Sequence, residues 1–183
     1  MTAAYQSLTL EQFLKLPETK PASEYQDGRI TQKPVPKGKH SRLQLKWAAK
    51  LGLVTEENRQ GMAFPELRCT FAGRSMVPDV AYFVWDRIPR DDQGLVDDEF
   101  TLAPDISIEI LSPKQDPEQL SEKLSFCVSN DGRLGLLVDP DAEAVTVFRP
   151  ARAVEVLQHG PISLEPVIEG AAVTVEEVFG WLK

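Results

Sequence analysis

Two cysteines and two histidines are all that this 183-residue chain offers of the softer metal ligands. Cys69 and Cys127 are far apart and neither belongs to a CxxC pair, which excludes a zinc ribbon and a thioredoxin-type motif and leaves them as packed, reduced thiols. His40 and His159 cannot make an HExxH pair, so a zinc hydrolase of that type is excluded and any metal must be held by carboxylates. No apolar run approaches the roughly 20 residues of a membrane-spanning helix, and no membrane partner is expected. The opening MTAAYQSLTLEQF lacks a basic region followed by an apolar one, so no secretory leader is expected and the chain is assigned to the cytoplasm. Positive charge is also short, with 20 Lys and Arg against 28 Asp and Glu. On its face a net charge of −8 argues against a nucleic-acid partner, because phosphate neutralisation supplies most non-specific affinity.

What is present changes that reading. Between residues 33 and 50 stand Lys33, Lys37, Lys39, Arg42, Lys46 and Lys50 with no acid among them. A helix over 41–56 lines up Lys39, Arg42, Lys46 and Lys50 on one face and Leu43, Trp47 and Leu51 on the neighbouring one. Lys39, Arg42 and Lys46 are therefore candidate nucleic-acid contacts, and His40 of the Gly-Lys-His-Ser string is a further one, as a phosphate contact or auxiliary base, with a capping or surface role as its alternative. An ordinary solvated helix face is the alternative.

The 42% hydrophobic and 26% charged content is that of a globular chain, and the length fits one domain, residues 1–183, with a core at about 8–150 and a C-terminal extension at 151–183. Thr9-x-x-Gln12 is a capping box for a short helix that Pro17 stops. Asp27-Gly28 marks a hairpin turn within 24–30. Strands are predicted over 61–71 and 76–85, joined at 72–75, and a loop over 86–104 holds the exposed acidic stretch DDQGLVDDE. Residues 105–111 alternate, with Ile106, Ile108 and Ile110 on one face and Asp105, Ser107, Glu109 and Leu111 on the other. A helix over 117–128, strands at 134–138, 145–149 and 153–157, and a capped final helix from Thr174 complete the pattern. Interleaved strands and helices predict an α/β fold with a mixed central sheet flanked by helices, an early hairpin and a later β-α-β unit.

Asp79 in Val-Pro-Asp-Val and Glu109 in Ile-Ser-Ile-Glu-Ile are carboxylates flanked by apolar residues. Buried unpaired, each would cost several kcal/mol, so each needs a cation, a metal or solvent. Two carboxylate-bearing strands side by side could hold a hard divalent ion for phosphodiester hydrolysis.

Pro78-Asp79 followed thirty residues on by Glu109, together with the strings EYQDGRITQKPVPKGKHS, VPDVAYFVW, IEILSP and LGLLVDP, resembles the PD-(D/E)XK nuclease superfamily, in its bacterial restriction endonuclease-like branch. The resemblance spans roughly residues 8–150 and implies a restriction endonuclease-like fold and a Mg²⁺-dependent endonuclease, with Mn²⁺ as a substitute, acting on DNA ahead of RNA. It implies that Asp79 and Glu109 are metal ligands and catalytic residues, and that Glu24 is an additional acid of the site, with Glu66 as its rival. The lysine expected two residues after Glu109 is missing, since Leu111 stands there. The resemblance places its substitute on the following helix, at Lys123, with Lys114, beside Gln115, as fallback. Members often act as homodimers, and no sequence feature decides that point. Two other readings stay open: a nuclease-fold module that binds nucleic acid or protein without cutting, and a carboxylate pair acting on a glycosidic bond without metal.

Overall fold

A computed structural model of the chain describes residues 8–183; residues 1–7, on which the leader expectation partly rests, lie outside the described residues. Among the described residues no helix is long and apolar enough to cross a membrane. Helix α1 (Leu10–Leu14) opens with the expected capping box, Thr9 and Gln12 exchanging side-chain-to-backbone bonds. Strands β1 (Ser23–Gln26) and β2 (Arg29–Gln32) form the hairpin, and Asp27 (φ 49°) and Gly28 (φ 82°) both take the left-handed backbone its tight turn requires. Helix α2 (Gly38–Thr55) starts earlier than predicted, so Lys39 and His40 fall in its first turn, and Leu43, Trp47 and Leu51 are fully buried.

The two strands expected over 61–71 and 76–85 are each broken in two. The result is β3 (Gly61–Pro65), β4 (Cys69–Phe71), β5 (Arg74–Met76) and β6 (Val80–Val84). Glu66 turns the chain at φ 51° with its N–H donating to the Asp79 carbonyl, and Pro78, one residue further back, has no N–H to continue a ladder. This bent ribbon divides between two sheets. β4 and β5 join the hairpin in a four-stranded sheet of order β2-β1-β5-β4, while β3 and β6 enter the larger one.

That larger sheet adds β7 (Ile106–Ile110), β8 (Leu134–Asp139), β9 (Ala144–Phe148) and β10 (Glu155–Leu157), in the order β10-β9-β8-β7-β6-β3. β7 and β8 are parallel and joined through α3 (Pro117–Ser129), while the other pairs are antiparallel, giving the expected mixed sheet and β-α-β unit. On one face Ile106, Ile108 and Ile110 pack with Val80, Tyr82 and the apolar side of α2. On the other face α3 lies over β7. Two strand residues advance about 6.6 Å and three to four helical residues about 4.5–6 Å, so the series Ser107, Glu109, Leu111 meets Cys127, Lys123, Leu120 in turn. Both faces of β7 are thus covered, and its five residues are all buried. Two short strands, β11 (Pro161–Ser163) and β12 (Ala172–Thr174), were not anticipated; with α4 (Val175–Gly180) they bring Ile162, Val173, Val178 and Phe179 into the same core as Trp47.

Candidate active site

The antiparallel pairing of β6 and β7, with Val80 opposite Ile108, carries one step further to set Asp79 opposite Glu109. The two carboxylates sit where β6 begins and β7 ends, each only 1% exposed. Their partners arrive from three other elements. Lys123 on α3 places its Nζ 2.6 Å from Oε1 of Glu109. The same ammonium donates to Oε1 of Glu24 on β1 and to the carbonyl of Val77 at 3.2 Å. Glu24 is fixed in turn by the Val77 N–H, 2.6 Å from its Oε1. Asp79 is gripped at both oxygens: Oδ2 accepts from the Ile110 N–H at 2.7 Å and faces Nε2 of His40 at 3.0 Å, while Oδ1 accepts from Nζ of Lys33 at 2.6 Å.

Burial acts against the charge on Asp79, Lys123 and Glu109, and the neighbours decide the outcome. For Asp79, the hydrogen bond from His40 and the charge of Lys33 outweigh burial and hold the carboxyl below its ordinary range. For Lys123, burial is outweighed by Glu109 and Glu24, and the ammonium is held above its ordinary value. Burial wins only at Glu109, whose carboxyl is pushed up to about 7 despite Lys123 and Lys33. Its Oε1 is also a buried atom without a properly directed hydrogen bond. A buried carboxylate with so perturbed a pKa and a specific charge partner, lining a cleft, is a mark of a functional site.

Glu24, Lys33, Glu109 and Lys123 line a cleft of about 420 Å³ whose walls are the β1–β2 hairpin, with Arg29, Thr31 and Gln32, and the start of α3, with Gln119 and Glu122, while Asp79 and His40 line a small cavity that Lys33 and Glu109 share. Glu24, Asp79, Glu109 and Lys123 are therefore brought together, and His40 joins them through Asp79. Glu66 is exposed and borders the group without touching Lys123 through any hydrogen bond or ion pair. Lys114 is exposed on the turn after β7, and Gln115 is occupied in accepting from the Ser112 N–H. Leu111, in the place of the expected lysine, packs against the cluster of Leu120 and Leu124.

The basic ridge of α2 lies apart from this group. Lys39 pairs with Asp141 at 2.8 Å, Lys50 with Glu177 at 2.7 Å, Arg42 donates to the Trp181 carbonyl, and Lys46 lies over the Trp181 ring. Lys33 is the site residue that sequence reasoning missed. It was visible as one cation in a basic run, but nothing in that run marks which lysine turns inward. The backbone groups of Val77 and Ile110 carry no sequence signal at all.

A family model described as a putative restriction endonuclease, Uma2, matches residues 10–176. The chain belongs to the Uma2 family. A crystal structure of a putative nuclease belonging to DUF820 from Anabaena variabilis is 40% identical, covers 96% of this chain and 99% of its own, and superimposes with a TM-score of 0.94. No curated protein matches the chain. Family and fold together place this Uma2 chain in the restriction endonuclease-like PD-(D/E)XK branch, and both the resemblance and the expected mixed sheet are borne out.

Proposed function

We propose that this Uma2 protein is a metal-dependent nuclease that hydrolyses phosphodiester bonds, of DNA ahead of RNA, with Mg²⁺ as its ion and Mn²⁺ as a substitute. The observation that carries this reading is the meeting of Glu24, Glu109 and Lys123 in the wall of a cleft open to solvent, with Asp79 opposite Glu109 on the neighbouring strand end. Among the described residues no three His, Cys, Asp or Glu form a ready cluster around an ion, because ammonium groups stand between the carboxylates. The donor set nevertheless fits the group: carboxylate oxygens suit a hard divalent ion, and the buried Glu109 Oε1, though ion-paired with Lys123, has no well-directed hydrogen bond. Asp79 and Glu109, with Glu24 beside them, would hold it, and it would supply Lewis-acid polarisation of the phosphate and charge to offset that of the transition state.

The chain's own groups do the rest. His40 and the Ile110 N–H fix the rotation of the Asp79 carboxylate. Lys123 presents a permanent positive charge beside Glu109, where it can orient a nucleophile and stabilise negative charge developing on phosphoryl oxygens. The displaced lysine loses nothing in reach, because α3 crosses β7 at the level of Glu109. The test is a thermal-shift titration with Mn²⁺ and Mg²⁺. Binding to the native state alone stabilises by about 2.7 kcal/mol at a hundredfold excess over Kd. Saturable stabilisation of the native chain, lost in Asp79→Asn and Glu109→Gln, supports the reading; no stabilisation at millimolar metal counts against it.

A further inference from the structure

The two lysines of the site are held in different ways. Lys123 is anchored on a helix between two carboxylates and is buried. Lys33 follows the exposed strand β2 in a segment that runs on through Pro34 and Pro36, and among the described residues it meets a single carboxylate, that of Asp79, together with the Val77 carbonyl at 2.7 Å. It lines both the open cleft and a small cavity of about 10 Å³ enclosed with His40, Glu66, Asp79 and Glu109. The partners of Asp79 divide in the same way. Oδ2 is held by parts of the rigid frame, the β7 backbone and the first turn of α2, whereas among the described residues Oδ1 meets only the Lys33 ammonium. The Asp79 oxygen held by Lys33, on a segment outside the helices and strands, is therefore the one whose partner can leave. Lysine suits such a place, being a compact charge on a flexible stem.

Resting on the proposed metal-dependent reading, we infer that Lys33 is a displaceable counter-ion of the site: its ammonium holds Asp79 Oδ1 until a divalent cation takes that oxygen, and the released side chain then lines the cleft beside the phosphate of the substrate. A divalent ion and an ammonium cannot share Oδ1 without strong mutual repulsion in so buried a place. The carboxylate is meanwhile never left as an unpaired buried charge. Its orientation does not depend on Lys33, because His40 and Ile110 keep their hold, so the exchange leaves the frame intact. Ion binding thereby costs the breaking of one ion pair, and the freed cation offsets part of that cost once a phosphate lies in the cleft.

Isothermal titration of Mn²⁺ into the native protein, Lys33→Met and Lys33→Arg tests this, followed by anisotropy of a short fluorescent DNA duplex with Ca²⁺ present. Lys33→Met is expected to bind Mn²⁺ roughly three- to tenfold more tightly than the native chain, the scale of one partly desolvated ion pair. Lys33→Arg, which keeps the charge, stays near the native affinity. Lys33→Met also binds the duplex more weakly despite its better metal affinity. A lysine with a merely structural role would give the opposite sign, since its loss would loosen the site and weaken Mn²⁺ binding. Native binding with unchanged or weaker affinity in Lys33→Met overturns the counter-ion role alone and leaves the metal site standing. Undiminished duplex binding overturns the role of the released side chain. No Mn²⁺ binding by either the native chain or Lys33→Met overturns this inference together with the metal-dependent reading.

Discussion

Asp79 shows how one residue can be both the tightest point of a structure and a candidate for exchange. Its carboxylate is held below the ordinary range by His40 and Lys33 against the pull of burial. A depressed acid contributes stability above its unfolded pKa of about 3.9 and loses that contribution as pH falls further. Asp79→Asn should therefore lower unfolding stability by about 3–5 kcal/mol at neutral pH, as expected for a broken buried pair, and the deficit should shrink below about pH 4. Urea unfolding of both proteins across that range measures it. Glu109 moves the other way: its carboxyl lies near 7 because burial dominates. Below that value the folded chain keeps a proton there that an arriving cation must release. Mn²⁺ affinity of the native protein should consequently rise from about pH 6 to about pH 8, and Glu109→Gln should abolish that rise. Calorimetry in two buffers of different ionisation enthalpy would count the released proton directly.

At the scale of elements, the register of α3 on β7 is what allows a helix to supply the lysine. Gly135 on β8 lets α3 come close: a Cβ there would stand 3.2 Å from Cβ of both Leu124 and Phe148. Gly135→Ala should lift the helix, costing about 1–3 kcal/mol of stability as overpacking does and loosening the Lys123–Glu109 pair with it. Denaturant unfolding and Mn²⁺ titration of the variant should show both losses together. Leu111→Lys places a charge in the apolar cluster of Leu120 and Leu124, so it should destabilise the chain while failing to replace Lys123 in a Lys123→Met background.

Much at this scale was legible in the sequence. The capping box at Thr9, the side-chain cap at Thr174, the Asp27-Gly28 hairpin and the alternation of β7 are local signals, and each element formed where its signal lay. The breaks at Glu66 and Pro78 were not legible as a change of sheet, because a bend shows in a sequence only as a proline or a turn residue, whereas its consequence depends on which sheet each half joins. β11 and β12 are three residues long and gain their order from α2 and Trp47, contacts distant along the chain.

For the molecule as a whole, the net charge of −8 and the placement of the basic ridge belong to one picture. Four of the cations along α2 serve the C-terminal segment and the β8–β9 turn, an arrangement a helical wheel cannot reveal because it contains no partner. The cleft itself is lined by four acids, Glu24, Asp27, Glu109 and Glu122, against three cations, Arg29, Lys33 and Lys123. A cleft of that charge repels a polyanion until divalent ions enter it. Binding of a DNA duplex should accordingly require divalent metal and vanish in EDTA, a result that anisotropy at constant ionic strength would record. A binding module working through α2 would instead bind without metal and lose affinity in Arg42→Ala and Lys46→Ala.

The most direct test is cleavage. Single- and double-stranded DNA and RNA are incubated with the purified protein in Mn²⁺ or Mg²⁺, beside Glu109→Gln and Lys123→Met variants shown to be folded. Divalent-dependent strand scission by the native chain is expected, stopped by EDTA and reduced at least about a hundredfold in each variant, the scale of losing one preorganised electrostatic group. Scission of no substrate form, or scission that survives EDTA and both substitutions, would contradict it.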